Sequence, residues 1–355
     1  MHGVGRNAVV RSGLPEARFD RPQGSLRGAV PSILVALAFI LLCEAVVRLL
    51  PLDGWATGEW PTSEYGRKFA EMERMGREDG GGGVVFVGSS VVDSSVDPVL
   101  FDRRFNPRVP SYNAATLGAG AGVTARWTRL AVVPSLRPSV VVVGVSSRDV
   151  NSNSGQIREH ERLFEESAEI RRLAGRESLG DRLERAVAER SALLRYRSAF
   201  RQPFRLLTGQ PRKEIFAFTP GPRGMDRYFL DRSYSFSGAR ALDLRRNVLV
   251  NFDPRGEDLR ELGRLARDLV RDGVLVVFVD VPVTSDYIDA HPRKVSDYRL
   301  YQAELERAVR ESGAKLIRTG VWPSRFFAEP LHVNRAGSRR FTSLLAERLR
   351  RRAFD

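Results

Sequence analysis

Five short strand-like runs, three of them rich in valine and all separated by stretches of helical spacing, limit this chain to very few architectures. They lie at 84–89, 109–114, 140–146, 274–281 and 315–319. Runs this short and this continuously apolar read as strands buried on both faces. The stretches between them read as helices: 123–136, then Leu259, Leu262, Leu265, Ala266 and Leu269 on one side of a second, then 298–312. Gly273 and Gly313 each stand where a helix would end in a left-handed residue just before its strand. A last helix, about 336–352, carries Phe341, Leu344, Leu345 and Leu349 as its apolar side and can be capped by Asn334. The alternation predicts an α/β fold: a doubly wound, flavodoxin-like parallel sheet of about five strands with helices on both faces.

The pattern breaks between residues 151 and 252. There the chain is first strongly charged and helical (156–213) and then aromatic and irregular (214–251). This is an insertion at the strand-end side of the sheet, read either as a lid or docking surface or as a solvated helical elaboration. Ahead of the α/β region, residues 1–29 form a basic tail rich in Gly and Pro, expected to be disordered and cytoplasmic. Residues 30–50 are apolar enough to span a bilayer, as an uncleaved signal-anchor helix. Glu44 and Arg48, four apart, share a helix face and can pair. Basic residues before this span and acidic ones after it put the main domain outside the cytoplasm. A cleaved signal peptide lacks a small-x-small site, and lipid attachment at Cys43 is opposed by the bulky Leu42; a buried core helix is the plain alternative. Residues 51–83 read as a juxtamembrane linker ending in the glycine run 80–83, and 84–355 as the α/β domain.

The net charge of +14 comes from arginines scattered among acidic residues, with no block and no nucleic-acid motif, so nucleic acid is not an expected partner. A single cysteine, Cys43, excludes a disulfide framework and a cysteine-based metal site. No metal and no cofactor is expected: Gly118, Gly120 and Gly122 do not match a dinucleotide fingerprint. His291 lacks a second ligand at metal spacing and reads as a surface loop residue.

The first run stops at Gly88-Ser89-Ser90, and strand ends are where open α/β sheets bind ligands. The two serines are either helix caps or include a nucleophile, Ser90. His332 lies after the last strand and just before the last helix, hence at the same sheet edge. Glu329, three residues earlier, can turn back onto the imidazole's other nitrogen. A serine needs such a base, and the base needs an orienting carboxylate.

With those residues in place the chain resembles the SGNH hydrolases, the GDSL-type esterases and acyltransferases, over roughly 84–150 and 257–352. Gly88-Ser89-Ser90 resembles the first family block, with Ser90 at the nucleophile and Ser89 in place of the usual Asp. Tyr112 to Gly118 resembles the second, with Asn113 in a supporting place and Gly118 at the oxyanion-hole glycine. Ser146-Ser147-Arg148-Asp149 resembles the third, with Arg148 in place of the oxyanion Asn and Asp149 expected to hold that loop. Glu329-Pro330-Leu331-His332 resembles the last, with Glu in place of Asp. The resemblance implies catalysis by Ser90, His332 and Glu329, with an oxyanion hole from Ser90, Gly118 and Arg148. It implies a serine esterase or O-acyltransferase for acyl, chiefly acetyl, esters of cell-surface glycans, partnered by an integral-membrane acyl donor. The contrasting expectation is a catalytically inactive SGNH-like binding or scaffold module for envelope polysaccharide assembly. It gains if Ser90 and His332 lie beyond hydrogen-bond reach.

Overall fold

A computed structural model describes residues 26–50, 63–195 and 220–353 of the chain. The expected tail before residue 26, the linker over 51–62 and, within the insertion, the end of the charged part and the start of the aromatic part (196–219) lie outside the described residues. The chain divides into two units, Met1–Leu50 and Pro51–Asp355.

In the first unit, Leu26–Leu49 is one helix. Its segment Val30–Leu49 is long and apolar enough to cross a membrane, a property that anchors and signal sequences share. The Glu44 carboxylate accepts from Arg48 Nε at 2.9 Å, the pair expected from their spacing.

The second unit is built on a five-stranded, wholly parallel sheet in the order β2-β1-β3-β4-β5. The strands are β1 (Val84–Val87), β2 (Ser111–Asn113), β3 (Val140–Val145), β4 (Leu275–Asp280) and β5 (Lys315–Arg318). Each falls inside one of the five apolar runs. Right-handed crossovers dictate the layers: the step from β1 to β2 runs opposite to every later step, so its helix must lie on the other face. Accordingly Pro98–Phe105, between β1 and β2, packs on the closing helix Arg335–Ala353. Ala121–Trp127 packs on Glu257–Arg271, which packs on Val295–Ser312. Leu259, Leu262, Leu265, Ala266 and Leu269 are all buried, as are Phe341, Leu345 and Leu349. Gly273 and Gly313 take φ values of 83° and 73°, the left-handed ends expected of them. Asn334 Oδ1 accepts from the N–H groups of Ala336 and Gly337 at 3.1 Å, capping the closing helix.

Residues 64–78 differ from the linker reading. Glu64–Glu78 is a helix capped by Ser63, whose hydroxyl accepts from Gly66 N–H at 3.2 Å, and it buries Lys68, Met72 and Met75. Tyr65, Phe69, Met72 and Met75 recur at helical spacing and face the core. At Gly76 an added Cβ would stand 1.9 Å from the Ser135 carbonyl oxygen, so the helix lies directly against the segment that leads into β3.

The insertion is closed at its base by Asn151, whose amide donates to the carbonyls of Val248 and Val250 at 2.8 and 3.1 Å. Between them lie Gly155–Glu165, Ala168–Leu173, Leu179–Arg190, Ala192–Arg195 and, nearer the return, Gly238–Asp243. Arg126, on the helix before β3, makes ion pairs with Glu161 and Glu165 and seats the first of these helices on the core.

Candidate active site

The strand β1 ends in a turn that only glycine permits. Gly88 has φ 151°, and a Cβ there would come within 2.6 Å of both the Gly144 oxygen on β3 and Val92 Cγ2. With side chains absent at 88 and 144, the short helix Ser90–Asp93 drops its Val92 side chain against β3. Ser90 is thereby held at the carboxyl edge of the first strand, where the winding of the sheet changes direction. Ser89 precedes this helix yet makes no side-chain cap bond, so the capping reading of the serine pair does not describe it.

Asn113 keeps that helix in place. Its amide donates to the carbonyls of Val92, Asp93 and Val96 at 3.1, 3.0 and 3.0 Å, and its own oxygen accepts from Ala115 N–H at 3.2 Å. Lys68, fully buried, reaches Asp93 Oδ1 at 2.6 Å, Glu64 Oε1 at 3.2 Å and the Ala115 carbonyl. Burial pushes the Asp93 carboxyl up against the pull of Lys68; burial also opposes the Lys68 charge, but Asp93 and Glu64 outweigh it, so the ammonium keeps its proton.

On the other side, Phe327 and Val333 pair in an antiparallel bridge and close a tight loop carrying Glu329 and His332. The Pro330 carbonyl accepts from Thr284 N–H at 3.1 Å and from its hydroxyl at 3.0 Å. His332 Nε2 lies 2.8 Å from Ser90 Oγ, and Nδ1 lies 2.5 Å from Glu329 Oε1. The three proposed catalytic residues therefore form one hydrogen-bonded line across 242 residues of sequence. Ser90 and His332 are buried, and the His332 ring stacks on Phe229 at a centroid distance of 4.0 Å and an interplanar angle of 8°. Burial alone would raise the Glu329 carboxyl, but His332 and Arg240 outweigh it and hold it down at about 2. Arg240 Nε donates to Glu329 Oε2 at 2.9 Å and its Nη1 to Asp243 at 2.6 Å.

The third block forms a capped turn. Asp149 Oδ2 accepts from Ser146 N–H at 2.9 Å and from its hydroxyl at 2.7 Å, the holding role expected of it. Its carboxyl is raised by burial against the opposing influence of Arg148, Ser146 and Ser89. Arg148 donates its backbone N–H to the Tyr287 hydroxyl at 3.1 Å, and its guanidinium Nε lies 3.7 Å from Asp149. His291 is not a surface residue: it is 2% exposed. Its Nδ1 faces the carbonyls of Tyr287 and Ile288 at 3.1 and 3.2 Å, while Nε2 meets the Ser147 hydroxyl at 2.9 Å. Both ring nitrogens are satisfied indoors, and His291 serves as an anchor for the third block.

Gly118 occupies a left-handed turn, φ 74°, and a Cβ there would stand 3.1 Å from His160 Nδ1. His160 comes from the insertion, and its Nε2 pairs with the Tyr65 hydroxyl at 2.9 Å, which in turn accepts from Thr116 at 3.1 Å. Burial, reinforced by the Arg148 charge and only partly offset by Glu64, lowers the His160 imidazole to about 4, so it is neutral near pH 7. His160 thus lies against Gly118, and Thr116, two residues before Gly118, donates its N–H to the Gly88 carbonyl at 3.0 Å. Among the described residues no cluster of three or more His, Cys, Asp or Glu could hold a metal ion.

The residues that sequence reasoning missed are Lys68, His160, Phe229 and Arg240. Helical spacing around Lys68 was a usable signal; nothing in the sequence distinguishes Arg240 from the other arginines of the insertion.

No family model and no curated protein matches this chain. Solved structures similar to it include the following two. One is an acetyl xylan esterase, Est2A, from the rumen bacterium Butyrivibrio proteoclasticus, at 8% identity and TM-score 0.33, over 77% of this chain and 64% of that one. This chain therefore spans less than two thirds of that esterase's length. The other is a carbohydrate acetylesterase family member from Sinorhizobium meliloti, at 8% identity and TM-score 0.34, over 76% of this chain and 98% of that one.

Proposed function

We propose that this protein is an SGNH-type serine esterase or O-acyltransferase acting on acyl, chiefly acetyl, esters of cell-surface glycans. The observation that carries the proposal is the line Ser90 Oγ, His332 Nε2, His332 Nδ1, Glu329 Oε1, with separations of 2.8 and 2.5 Å at its two hydrogen bonds. A hydroxyl, an imidazole and an ionised carboxylate in that order are what nucleophilic acyl transfer requires.

In this reading Ser90 Oγ attacks the acyl carbonyl carbon and its proton passes to His332 Nε2. The charge left on the carbonyl oxygen is received by the Ser90 and Gly118 N–H groups and by Arg148. Collapse of the tetrahedral species breaks the bond to the leaving alkoxide, which takes the proton back from His332 and departs as the alcohol. The acyl-Ser90 ester then passes its acyl group to water, or to a glycan hydroxyl, by the same steps in reverse. Glu329 holds the imidazole's tautomer and steadies its charged form throughout.

The apolar N-terminal helix, read as an uncleaved anchor with the catalytic domain outside the cytoplasm, supplies the location. That location makes envelope glycans the substrates within reach and an integral-membrane acyl donor a suitable partner. The contrasting scaffold reading would have gained from Ser90 and His332 lying out of reach of one another, and the 2.8 Å contact gives it no such support. The test is turnover of p-nitrophenyl acetate by the protein and its Ser90→Ala variant. Activity lost in the variant supports the proposal; equal rates remove Ser90 from the chemistry.

A further inference from the structure

The Glu329 carboxylate is shared. Oε1 faces His332 Nδ1 at 2.5 Å, while Oε2 accepts from Arg240 Nε at 2.9 Å and Oε1 lies 3.4 Å from Arg240 Nη2. Arg240 belongs to the helix Gly238–Asp243 of the insertion, whose start is capped by the Ser237 hydroxyl accepting from Arg240 N–H at 3.2 Å. The same segment pins the loop in two further places: Ser235 N–H donates to the Ala328 carbonyl at 3.0 Å, and the Leu230 carbonyl accepts from Arg335 N–H at 2.8 Å. Phe229 covers the face of the His332 ring.

We infer that Arg240 is a positioning residue of the Ser90–His332–Glu329 line, and that the insertion is part of the catalytic apparatus. The inference rests on the acyl-transfer reading of that line. A planar guanidinium that forks onto a carboxylate fixes the plane of the carboxylate as well as its place. With that plane fixed, Oε1 stays on the axis of His332 Nδ1. The arrangement also accounts for Glu in place of Asp at 329. The extra methylene lets one carboxylate reach outward to the insertion and inward to the imidazole together.

Charge is the second consequence. A permanent cation on the far oxygen draws electron density from the carboxylate and weakens its support of a protonated imidazole, so proton return to the leaving group is favoured. Asp243 also pairs with Arg240, accepting from Nη1 at 2.6 Å, whereas Tyr234 and Arg232 of the same segment have other partners. The Tyr234 hydroxyl is bonded to Asp286, and the Arg232 guanidinium lies 3.9 Å from the Tyr228 ring centroid and 5.8 Å from that of Phe229.

The experiment compares the full-length protein in detergent with Arg240→Met, Arg240→Lys, Glu329→Asp and Glu329→Asp/Arg240→Met. Arg240→Met is expected to lower kcat for p-nitrophenyl acetate roughly tenfold to a hundredfold with KM little changed. It is also expected to move the acid limb of kcat/KM to higher pH. Arg240→Lys keeps the charge and loses the fork, so the limb stays while part of kcat is lost. In the Glu329→Asp background, removing Arg240 costs little more, because the shorter arm has already broken the shared geometry. A merely structural Arg240 would lower thermal stability and leave the limb and the kcat of the folded fraction unchanged; that result overturns the inference. If the unaltered protein turns over no ester, the acyl-transfer reading fails on its own. The inference is then judged by the His332 ring resonances of histidine-labelled protein, followed against pH: a curve displaced in Arg240→Met supports it, and coincident curves overturn it.

Discussion

Ser90 and His332 are held in place by different means. Ser90 stands on a helix locked from within the sheet: Gly88 and Gly144 admit Val92, Asn113 gathers three carbonyls, and buried Lys68 ties down Asp93. His332 stands on a loop that Thr284 ties to the segment after β4 and that Phe229, Leu230, Ser235 and Arg240 of the insertion hold from outside the sheet. One half is therefore a product of core packing, where a wrong residue costs the fold. The other is a product of docking, where a wrong residue costs alignment first.

Substitutions on the two sides should separate these costs. The largest effect is expected from His332→Ala, which removes the base and should lower ester turnover by about 10⁴-fold or more while leaving the fold intact. Lys68→Met breaks a buried charge network and strands Asp93, at a cost of about 3–5 kcal/mol in denaturant unfolding. Asn113→Ala leaves three carbonyls without their donor and should cost about 2–3 kcal/mol, again read as a lowered denaturation midpoint. Phe229→Ala should show the opposite signature: turnover reduced roughly tenfold through a looser imidazole, with a smaller change in stability. A Phe229 variant that unfolds before it slows, or a Lys68 variant that slows without unfolding, would erase the distinction.

The smallest effects concern pH. Glu329 is held at about 2, below its ordinary 4.5, so the stability it contributes is complete above about pH 4.5 and drains away as pH falls toward 2. His160 is lowered from 6.5 to about 4, so its contribution is complete above 6.5 and is lost as pH falls toward 4. In both windows the unfolded chain binds more protons than the folded one. Urea midpoints measured along a pH series should show two separate declines. Glu329→Gln should flatten the more acidic one and His160→Gln the milder one.

The same contrast explains what could be read from the sequence. Strands, crossover helices and the meeting of Ser90, Glu329 and His332 were legible because core packing and sheet topology leave periodic traces: valine runs, left-handed glycines, a turn at a strand end. The helix Glu64–Glu78 also left such a trace, in Tyr65, Phe69, Met72 and Met75, but flanking glycines and charge made it look like a tether. His291 looked superficial because a lone histidine in a polar loop carries no sign that Ser147 will meet it. Arg240 and Phe229 were illegible for a deeper reason. Their roles come from where the insertion folds back, and that return path has no period to detect.

Thr342, on the closing helix, accepts from Asp97 N–H at 3.1 Å and donates to the Ser95 carbonyl at 3.3 Å, just beyond the nucleophile's helix. The closing helix thus clasps the turn that follows Ser90 and continues directly from the loop that carries His332. On the proposed mechanism, Ser90 becomes reactive only once this helix has docked.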